Sequence, residues 1–294
     1  MNVPRDSSLS FDAPDPDADA FNFIGALAMR EAGLMIPQEK ATMVFARLNR
    51  RLSTLGVADY TSYCKLLQRD DSEARAERKT LISVLTTNIT SFLREAHHFD
   101  MLRTDILPGL IARARAGGRV RLWSAGCSSG QEAYTIAMCV HDAWPEAGRA
   151  DLRILATDID FNVLKTARAG VYGLAETARV PDDWKERFFE DMPDSGRIRV
   201  RAPLRDLVTF RELNLIKPWP FSGKFDVIFC RNVVIYFDQA TQNHLWPRFE
   251  EVCQPGGTLF VGHSERVDTA AGTRFEMVGT SAYRKPASDT PKVS

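Results

Sequence analysis

The chain of 294 residues lacks the features that mark several common classes of protein. No apolar run approaches the ~20 residues of a membrane-spanning helix. The first residues are acidic and rich in proline, unlike those of a signal peptide. The five cysteines are scattered without a C-x-x-C pair, which argues against a disulfide framework or a zinc site. We therefore expect a cytoplasmic, monomeric protein that carries no metal and does not insert into a membrane.

The chain also has no net charge. Lysine plus arginine and aspartate plus glutamate number 38 each, so no overall field favours nucleic acid, and we expect no nucleic-acid partner. The local distribution differs, since residues 21–120 hold fifteen basic against ten acidic residues. A basic surface on this part would favour an acidic partner. The adjacent His97 and His98 could not easily face one metal, and we interpret them as structural.

The N-terminal part is predicted to be helical. Residues 1–19 are acidic and proline-rich and are predicted to form a disordered tail. Residues 20–85 are predicted to form a small all-helical domain. An apolar stripe with helical spacing supports this domain and consists of Val44, Leu48, Leu52 and Leu55. Asp59 and Ser72 are the expected N-caps of two of its helices.

The rest of the chain has an α/β pattern. Residues 86–118 are predicted to be a linker and a long helix that contains or ends at Pro108. Residues 119–285 alternate between strands and helices, as in a doubly wound sheet, and residues 286–294 are expected to be a flexible tail. The predicted strands are residues 120–125, 152–157, 207–213, 225–230 and 257–262.

Between the second and third of these strands lies an irregular region, residues 171–205. Residues 197–201 alternate strictly between basic and apolar side chains and follow a Pro-Asp-Ser-Gly turn. This pattern is typical of one half of an exposed hairpin. We therefore expect a small β-subdomain inserted in the α/β domain.

The first predicted strand runs into a turn with two glycines, Gly126 and Gly130. A strand, such a turn and a helix bring backbone close to a nucleotide-like ligand in many α/β proteins. The spacing departs from G-x-G-x-x-G, and glycines in such turns also serve packing alone. The turn by itself leaves both interpretations open.

Two further strand ends carry polar residues. The second strand ends at Asp158 and Asp160, where a carboxylate can accept hydrogen bonds from both ribose hydroxyls. The alternative is a helix cap, which suits Asp160 and leaves Asp158 for a ligand. Arg231 and Asn232 follow another buried strand, at the edge where open α/β sheets place ligands. Tyr236 follows in the same segment, and the alternative to a functional role for it is ordinary packing.

In these and other segments the chain resembles the CheR family, the S-adenosylmethionine-dependent methyltransferases of chemoreceptor glutamates. The matching segments are 86–99 (TTNITSFLREAHHF), 123–126 (WSAG), 156–160 (ATDID), 230–238 (CRNVVIYFD) and 262–265 (GHSE). The resemblance implies the class I, Rossmann-like methyltransferase fold and S-adenosylmethionine as cofactor. It also implies transfer of a methyl group to glutamate carboxylates of chemoreceptors for sensory adaptation.

The resemblance also implies roles for individual residues. Cofactor binding is expected of Asn88, Thr90, Arg94, Gly126, Glu132, Asp158, Asn214, Leu215, Arg231 and Asn232. Arg94 and Tyr236 are expected nearest the transferred methyl group and are the candidate catalytic residues. The alternative for Arg94 is a salt bridge to Glu95 or Asp100. The cluster His263-Ser264-Glu265 is interpreted as packing or as a wall of the cofactor site, not as nucleophilic machinery.

The expected partner is the cytoplasmic helical domain of a chemoreceptor. Docking is expected through the β-subdomain and through basic residues of the helical domain, namely Lys40, Arg47, Arg50 and Arg51. The alternative is that these cations are solvated helix faces. The short loop at residues 190–196 has one glycine, which argues against capture of a receptor tail peptide. Other possible functions are a non-catalytic S-adenosylmethionine-binding module and a methyltransferase for a small carboxylic acid.

Overall fold

The computed structural model describes residues 16–193 and 195–287 and divides the chain into two compact units between Leu85 and Thr86. The division falls where the sequence pattern ends the helical domain. Among the described residues, no helix combines the length and apolar character needed to cross a membrane. All five cysteines are free and buried.

The described part of the first unit, residues 16–85, contains four α-helices and a 3-10 turn, Gln38–Lys40. The helices are α1 (Pro16–Ala32), α2 (Ala41–Leu55), α3 (Tyr60–Gln68) and α4 (Ser72–Leu85). Helix α1 begins at Pro16, so residues 16–19 of the predicted disordered tail are helical, and residues 1–15 lie outside the described part. The disorder prediction is therefore wrong for its last four residues.

Helix α2 packs through its apolar stripe. Val44, Leu48 and Leu52 are buried, while Leu55 at the end of the helix is half-buried. Asp59 caps α3 by accepting a hydrogen bond from the Ser62 backbone N–H (2.7 Å), as predicted. The prediction of Ser72 as a cap is wrong, because α4 begins at Ser72 and the carboxylate of Asp71 accepts the Ala74 N–H (2.8 Å).

Two of the basic residues expected to dock a partner are used inside this unit. Arg51 forms an ion pair with Glu77, a carboxylate that is only 4% exposed. Arg47 donates hydrogen bonds to the carbonyl oxygens of Val84 (3.1 Å) and Leu85 (3.0 Å). These bonds join α2 to α4, so a docking role for Arg47 and Arg51 is not supported by their surroundings. Lys40 and Arg50 are exposed.

The second unit begins with residues 86–94, an irregular segment, followed by a helical region. This region consists of α5 (Ala96–Met101), a π-helical turn (Leu102–Ile106) and α6 (Leu107–Arg115). Pro108 lies in the first turn of α6. A proline lacks the N–H that a continuous α-helix requires, and the wider π-helical turn before it accommodates that loss.

The remaining elements form two sheets with flanking helices. The strands are β1 (Val120–Ala125), β2 (Leu152–Asp158), β3 (Val171–Gly173), β4 (Phe189–Met192), β5 (Arg197–Val200), β6 (Val208–Glu212), β7 (Phe225–Cys230), β8 (Cys253–Val261), β9 (Glu276–Gly279) and β10 (Ala282–Arg284). The helices are α7 (Gln131–Ala143), α8 (Phe161–Ala169), α9 (Asp182–Phe188), α10 (Ala202–Arg205) and α11 (Gln239–Val252). Strand β8 begins at Cys253, four residues before the predicted start at 257.

The large sheet has seven strands in the order β6-β2-β1-β7-β8-β10-β9. Its strands are parallel from β6 to β8, and β10 is antiparallel to both of its neighbours. The order reverses between β1 and β7, where an open α/β sheet forms a crevice for a ligand. This is the predicted doubly wound fold, and the antiparallel pair β9 and β10 lies at its end.

The small sheet has the order β3-β5-β4 and is antiparallel throughout. It lies in the chain between α8 and β6, so the predicted β-subdomain is confirmed. The predicted half-hairpin at residues 197–201 is strand β5, which pairs with both neighbours.

Candidate active site

The expected site residues come together at the carboxyl edge of the large sheet. Strands β1, β2, β6 and β7 are parallel neighbours, so the residues that follow them meet at one edge. The pairing of Asp158 with Glu212 and of Ser124 with Phe229 fixes this register. Each of these strand ends is followed by polar residues of the candidate site.

The turn after β1 is held tightly. The backbone N–H groups of Gly126 and Cys127 donate to the carbonyl oxygen of Thr157 (2.7 and 2.9 Å). Gly126 has φ of 81°, and a Cβ at this position would overlap the side chain of Val233. Gly130 has φ of 97°, and a Cβ there would meet Ala167. Both glycines therefore have a packing role as well as a backbone conformation that other residues rarely adopt.

Asp158 lies at the point where the turn meets β2. Its two carboxylate oxygens accept the backbone N–H groups of Ser128 (2.8 Å) and Asp160 (2.9 Å). The side chain is 8% exposed, and burial raises its pKa to about 6 although both backbone donors favour the ionised form. Each oxygen of an ionised carboxylate has capacity for a second hydrogen bond, so Asp158 can accept from the hydroxyl groups of a ribose.

Asp160 is the predicted helix cap and does more than cap. Its Oδ1 accepts the N–H of Asn162 (2.8 Å), which begins α8. Its Oδ2 accepts the side-chain amide of Asn88 (2.7 Å). This second bond attaches the segment at residues 86–94 to the end of β2.

The segment at residues 86–94 is attached at further points along the same edge. The carbonyl of Asn88 accepts the Ser128 hydroxyl (3.0 Å), and the Leu93 N–H donates to the Thr135 hydroxyl (3.3 Å). The ring of Phe92 is fully buried beside Tyr172. These contacts place Asn88 and Arg94, together with the half-buried Thr90, across the carboxyl edge of the sheet.

Arg231 is the buried cation of the site. Its guanidinium contacts the carboxylates of Glu132 (3.0 Å) and Glu95 (3.2 Å), and the three side chains are 2%, 12% and 12% exposed. It also donates to the carbonyl of Arg94. Burial opposes ionisation of Glu95, but Arg231 and His263 lower its pKa to about 2. Arg231 thus joins three separate parts of the chain.

Glu132 and Glu95 differ in how they are held. Glu132 accepts the Ser124 hydroxyl (2.6 Å) as well as Arg231. Burial raises its pKa, and the nearby Arg231 limits the rise. Glu95 has a left-handed backbone conformation with φ of 56°, which is uncommon for a non-glycine residue. No local pattern in the sequence marked Glu95 as the partner of Arg231.

Glu265 organises the loop that follows β7. Its buried carboxylate accepts the backbone N–H groups of Asn232 and Val233, both at 2.8 Å, and of Ile235 at 3.3 Å. Burial raises its pKa despite these donors. Asn232 is held with φ of 58°. Glu265 therefore shapes the loop through hydrogen bonds to its backbone.

Tyr236 lies in this loop and Arg94 lies in residues 86–94, and both side chains are half-buried. The Tyr236 hydroxyl donates to the carbonyl of Thr87 (3.2 Å). The Arg94 guanidinium donates to the carbonyl of Ile89 (3.0 Å). The alternative of an Arg94–Glu95 salt bridge is not what the structure has, since Glu95 pairs with Arg231 and His263.

Asn214 and Leu215 follow β6 and lie beside the end of β2. The Leu213 N–H donates to the carbonyl of Asp158 (2.9 Å), which joins the two strand ends. The Asn214 side chain accepts the Ile216 N–H (3.1 Å), and Leu215 is buried. The pair thus lies at the end of the strand next to β2, beside Asp158.

Glu95, His97 and His98 have ligand atoms within 4.8 Å of one another. His98 is buried, and its Nε2 lies 3.0 Å from the carbonyl of Thr280, so that nitrogen carries the proton. Burial and the nearby Arg231 lower the pKa of His98 to about 4. The guanidinium of Arg231 already neutralises Glu95, which makes the group a poor site for a second cation. The absence of a metal stays a prediction.

Ten expected cofactor residues and Tyr236 thus lie in one region of the second unit. Sequence reasoning missed Glu95 and Glu265 as organisers, although Glu265 stands in a segment that the resemblance quotes. It also missed Ser128, whose N–H and hydroxyl both bond within the site. The edge offers carboxylates for an amine and a ribose, guanidinium groups for a carboxylate, and an amide for a base. This donor set suits S-adenosylmethionine.

Comparisons with known proteins agree with this geometry. The family model described as "CheR methyltransferase, all-alpha domain" matches residues 19–86, and "CheR methyltransferase, SAM binding domain" matches residues 88–284. A probable chemotaxis protein methyltransferase of Rhizobium etli is 44% identical over 256 residues, covering 86% of this chain and 95% of the relative. The chemotaxis protein methyltransferase of Escherichia coli is 40% identical over 267 residues, covering 90% and 89%.

Proposed function

Since the chain belongs to the CheR methyltransferase family, we propose that it methylates glutamate side chains of chemoreceptors. It is an S-adenosylmethionine-dependent methyltransferase of chemotaxis. The products are glutamate methyl esters and S-adenosylhomocysteine. The observation that carries the proposal is the edge where Arg94 and Tyr236 stand beside the clamp formed by Arg231, Glu132 and Glu95.

The reaction needs positioning more than acid–base chemistry. A glutamate carboxylate has an ordinary pKa near ~4.3, so at neutral pH it is already the nucleophile. Bound S-adenosylmethionine supplies the electrophilic methyl group on a sulfonium centre. Because opposite charges cancel during transfer, a site that excludes water and aligns the two groups favours the reaction. No catalytic base is required.

The residues that would hold the cofactor lie around the strand ends. In this proposal Asp158 accepts the ribose hydroxyls, and Asn214 with Leu215 contacts the adenine. Glu132 faces the amino-acid end, and the turn at Gly126 lets backbone approach. The remaining members of the set are Asn88, Thr90, Arg94, Arg231 and Asn232. Support comes from the acceptor capacity of Asp158 and from the bonds that tie residues 86–94 to the same edge.

Arg94 and Tyr236 are the proposed contacts of the acceptor carboxylate. A guanidinium orients a carboxylate by charge-assisted hydrogen bonds, and the Tyr236 hydroxyl adds a donor that fixes its approach. Both groups now bond backbone carbonyls of residues 86–94, which are weaker acceptors than a carboxylate. An incoming glutamate can therefore replace those bonds.

The partner is proposed to be the cytoplasmic helical domain of a receptor. We place docking on the β-subdomain and on the exposed Lys40 and Arg50, with Arg47 and Arg51 acting inside the helical unit. Opposite charge on the receptor would speed association and set its register. A monomer acting in the cytoplasm fits this role. The link between β4 and β5 is short, which supports docking without a receptor tail peptide.

The test is incubation of the enzyme with methyl-labelled S-adenosylmethionine and a receptor cytoplasmic fragment, scored for base-labile methyl esters. Tyr236→Phe removes one hydroxyl and should lower kcat at least tenfold while leaving cofactor affinity nearly intact, as roughly expected for an interaction made in the transition state. Calorimetry with S-adenosylhomocysteine is the control for folding and binding. Cofactor binding without any labelled receptor would indicate a non-catalytic module, and labelling of small carboxylic acids alone would indicate the other alternative.

A further inference from the structure

Two isoleucines stand out of the protein surface at the candidate active site. The side chain of Ile89 is 80% exposed and that of Ile235 is 45% exposed. Ile89 lies within residues 86–94, and Ile235 lies within the 3-10 turn Val234–Tyr236. Single exposed apolar residues are common, but exposed apolar residues grouped beside polar functional groups mark binding surfaces.

Hydrogen bonds fix both isoleucines beside the candidate catalytic side chains. The carbonyl of Ile89 itself accepts the Arg94 guanidinium (3.0 Å). The hydroxyl of Tyr236, the residue after Ile235, donates to the carbonyl of Thr87 (3.2 Å). Consecutive Cα atoms are about 3.8 Å apart, so Thr87 and Ile89 are near neighbours in space. Ile89 thus bonds Arg94 through its carbonyl, and Ile235 precedes Tyr236, whose hydroxyl binds the chain two residues before Ile89.

Hydrogen bonds to Glu265 hold the loop that carries Ile235 in one conformation. The buried carboxylate of Glu265 accepts the Ile235 N–H, together with those of Asn232 and Val233. The neighbouring Val234 is buried while Ile235 points to solvent. A fixed apolar side chain loses little conformational entropy when it becomes covered, so such a position favours binding.

We propose that Ile89 and Ile235 form an apolar subsite for the side chains that flank the acceptor glutamate on a receptor helix. The proposal rests on the proposed function. On a helix, residues three and four positions apart share a face and lie about 5–6 Å apart. A helix that presents a glutamate to Arg94 and Tyr236 therefore presents its neighbours on that face to the two isoleucines. We name this pair the apolar rim.

The apolar rim defines the kind of acceptor. Arg94 attracts any carboxylate, but the rim becomes dehydrated only if the residues beside the acceptor are themselves apolar. Covering the rim also removes water from the reacting carboxylate, which favours transfer. A glutamate surrounded by other charged residues would leave the isoleucines in water or face them with uncompensated charge. The rim thus selects among the glutamates of one receptor.

The test measures methylation kinetics of a receptor cytoplasmic fragment that the wild-type enzyme methylates. Ile89→Ala and Ile235→Ala should each raise KM for the fragment several-fold, and the double variant should raise it roughly tenfold or more, from the apolar area lost. The kcat at saturating fragment and the affinity for S-adenosylhomocysteine should stay near wild type, because the rim contacts the acceptor alone.

Met277→Ala is the matched control. Met277 is 64% exposed on the edge strand β9 and is as apolar as the isoleucines. Its variant should leave KM unchanged. A wild-type KM in the double isoleucine variant would overturn the apolar rim while leaving receptor methylation intact. Failure of the wild-type enzyme to label any receptor fragment would overturn the proposed function, and the rim with it.

Discussion

In the helical unit the buried carboxylate of Glu77 joins α2, α3 and α4, because Arg51 and the hydroxyl of Tyr63 (2.7 Å) both bind it. At the carboxyl edge of the sheet, the buried carboxylates of Asp158 and Glu265 accept backbone N–H groups of loops. The first arrangement fixes helices against one another. The second fixes loop backbone and leaves neighbouring groups available to a ligand.

The difference shows how one type of residue serves two purposes. In the helical unit the described partners of Glu77 lie on the neighbouring helices α2 and α3, so the carboxylate contributes to folding. At the sheet edge each carboxylate holds the backbone of a loop that carries candidate site residues. A buried charge without its partner is costly in either place, but only the sheet edge should couple that cost to catalysis.

The largest expected effect is that of removing the buried cation Arg231, which tests this contrast. Arg231→Ala would leave Glu95 and Glu132 buried without their cation and should lower the free energy of unfolding by about 3–5 kcal/mol, together with loss of methylation. Urea unfolding and the labelling assay measure the two effects. Arg75→Ala is the control. Both side chains of its ion pair with Asp70 are exposed, so loss of the pair should lower the free energy of unfolding by no more than about 1 kcal/mol. Equal stability of the Arg231 variant and wild type would contradict the buried clamp.

The next effect concerns Asp158 and pH. Its folded pKa of about 6 lies above the ordinary value near ~3.9, so the folded protein holds the proton more tightly. The associated stability is fully present below about pH 4 and is lost as pH rises through about 6. Asp158→Asn should remove this contribution to the pH dependence, seen by urea unfolding at several pH values.

Cofactor affinity is the second measurement that tests the role of Asp158. The ionised carboxylate accepts hydroxyl hydrogen bonds best, so the affinity of the wild type should fall as pH drops below about 6. Asp158→Asn should bind roughly 5- to 100-fold more weakly at pH 7, the scale of lost charge-assisted bonds, and should lose that pH dependence. Unchanged affinity of the folded variant would remove Asp158 from the ribose site.

The smallest effect tests the exposed cations of the helical unit. Lys40→Glu with Arg50→Glu should slow receptor methylation several-fold at low salt and leave stability and cofactor affinity unchanged, because long-range attraction guides encounter. The control, Arg149→Glu with Arg153→Glu, makes the same charge change at two exposed residues of the second unit. Arg51→Glu should instead unfold the helical unit at lower urea. If the Lys40 and Arg50 variant methylates at the wild-type rate, these residues have no docking role.

Much of the architecture was accessible from sequence patterns. The strands at 120–125 and 225–230 were predicted with their observed bounds, the first from alternating polar and apolar residues and the second from an apolar run. Asp59 as a cap and Asp160 as a cap followed from local hydrogen-bonding preferences. Errors occurred where two neighbouring residues could serve equally, as with Asp71 and Ser72, and where a helix began inside an acidic segment at Pro16.

The long-range partners were not accessible in this way. Arg231 and Glu95 are separated by 136 positions in the chain, and the left-handed conformation of Glu95 is fixed by the tertiary structure around it. The same holds for Arg51, which looked like a surface cation because its helical periodicity does not reveal Glu77 on another helix. Side-chain pairing depends on which elements pack together, and local pattern carries little of that information.

The sequence by itself determined the order of helices and strands, the inserted β-subdomain and, through its motifs, the family. Those properties depend on periodicity, capping and turn preferences, which act between near neighbours. Only the tertiary structure decided that Arg47 and Arg51 act inside the helical unit, that Glu265 shapes the loop of Tyr236, and that Ile89 and Ile235 are exposed. These depend on distances between segments far apart in the chain, which close packing of the folded core fixes.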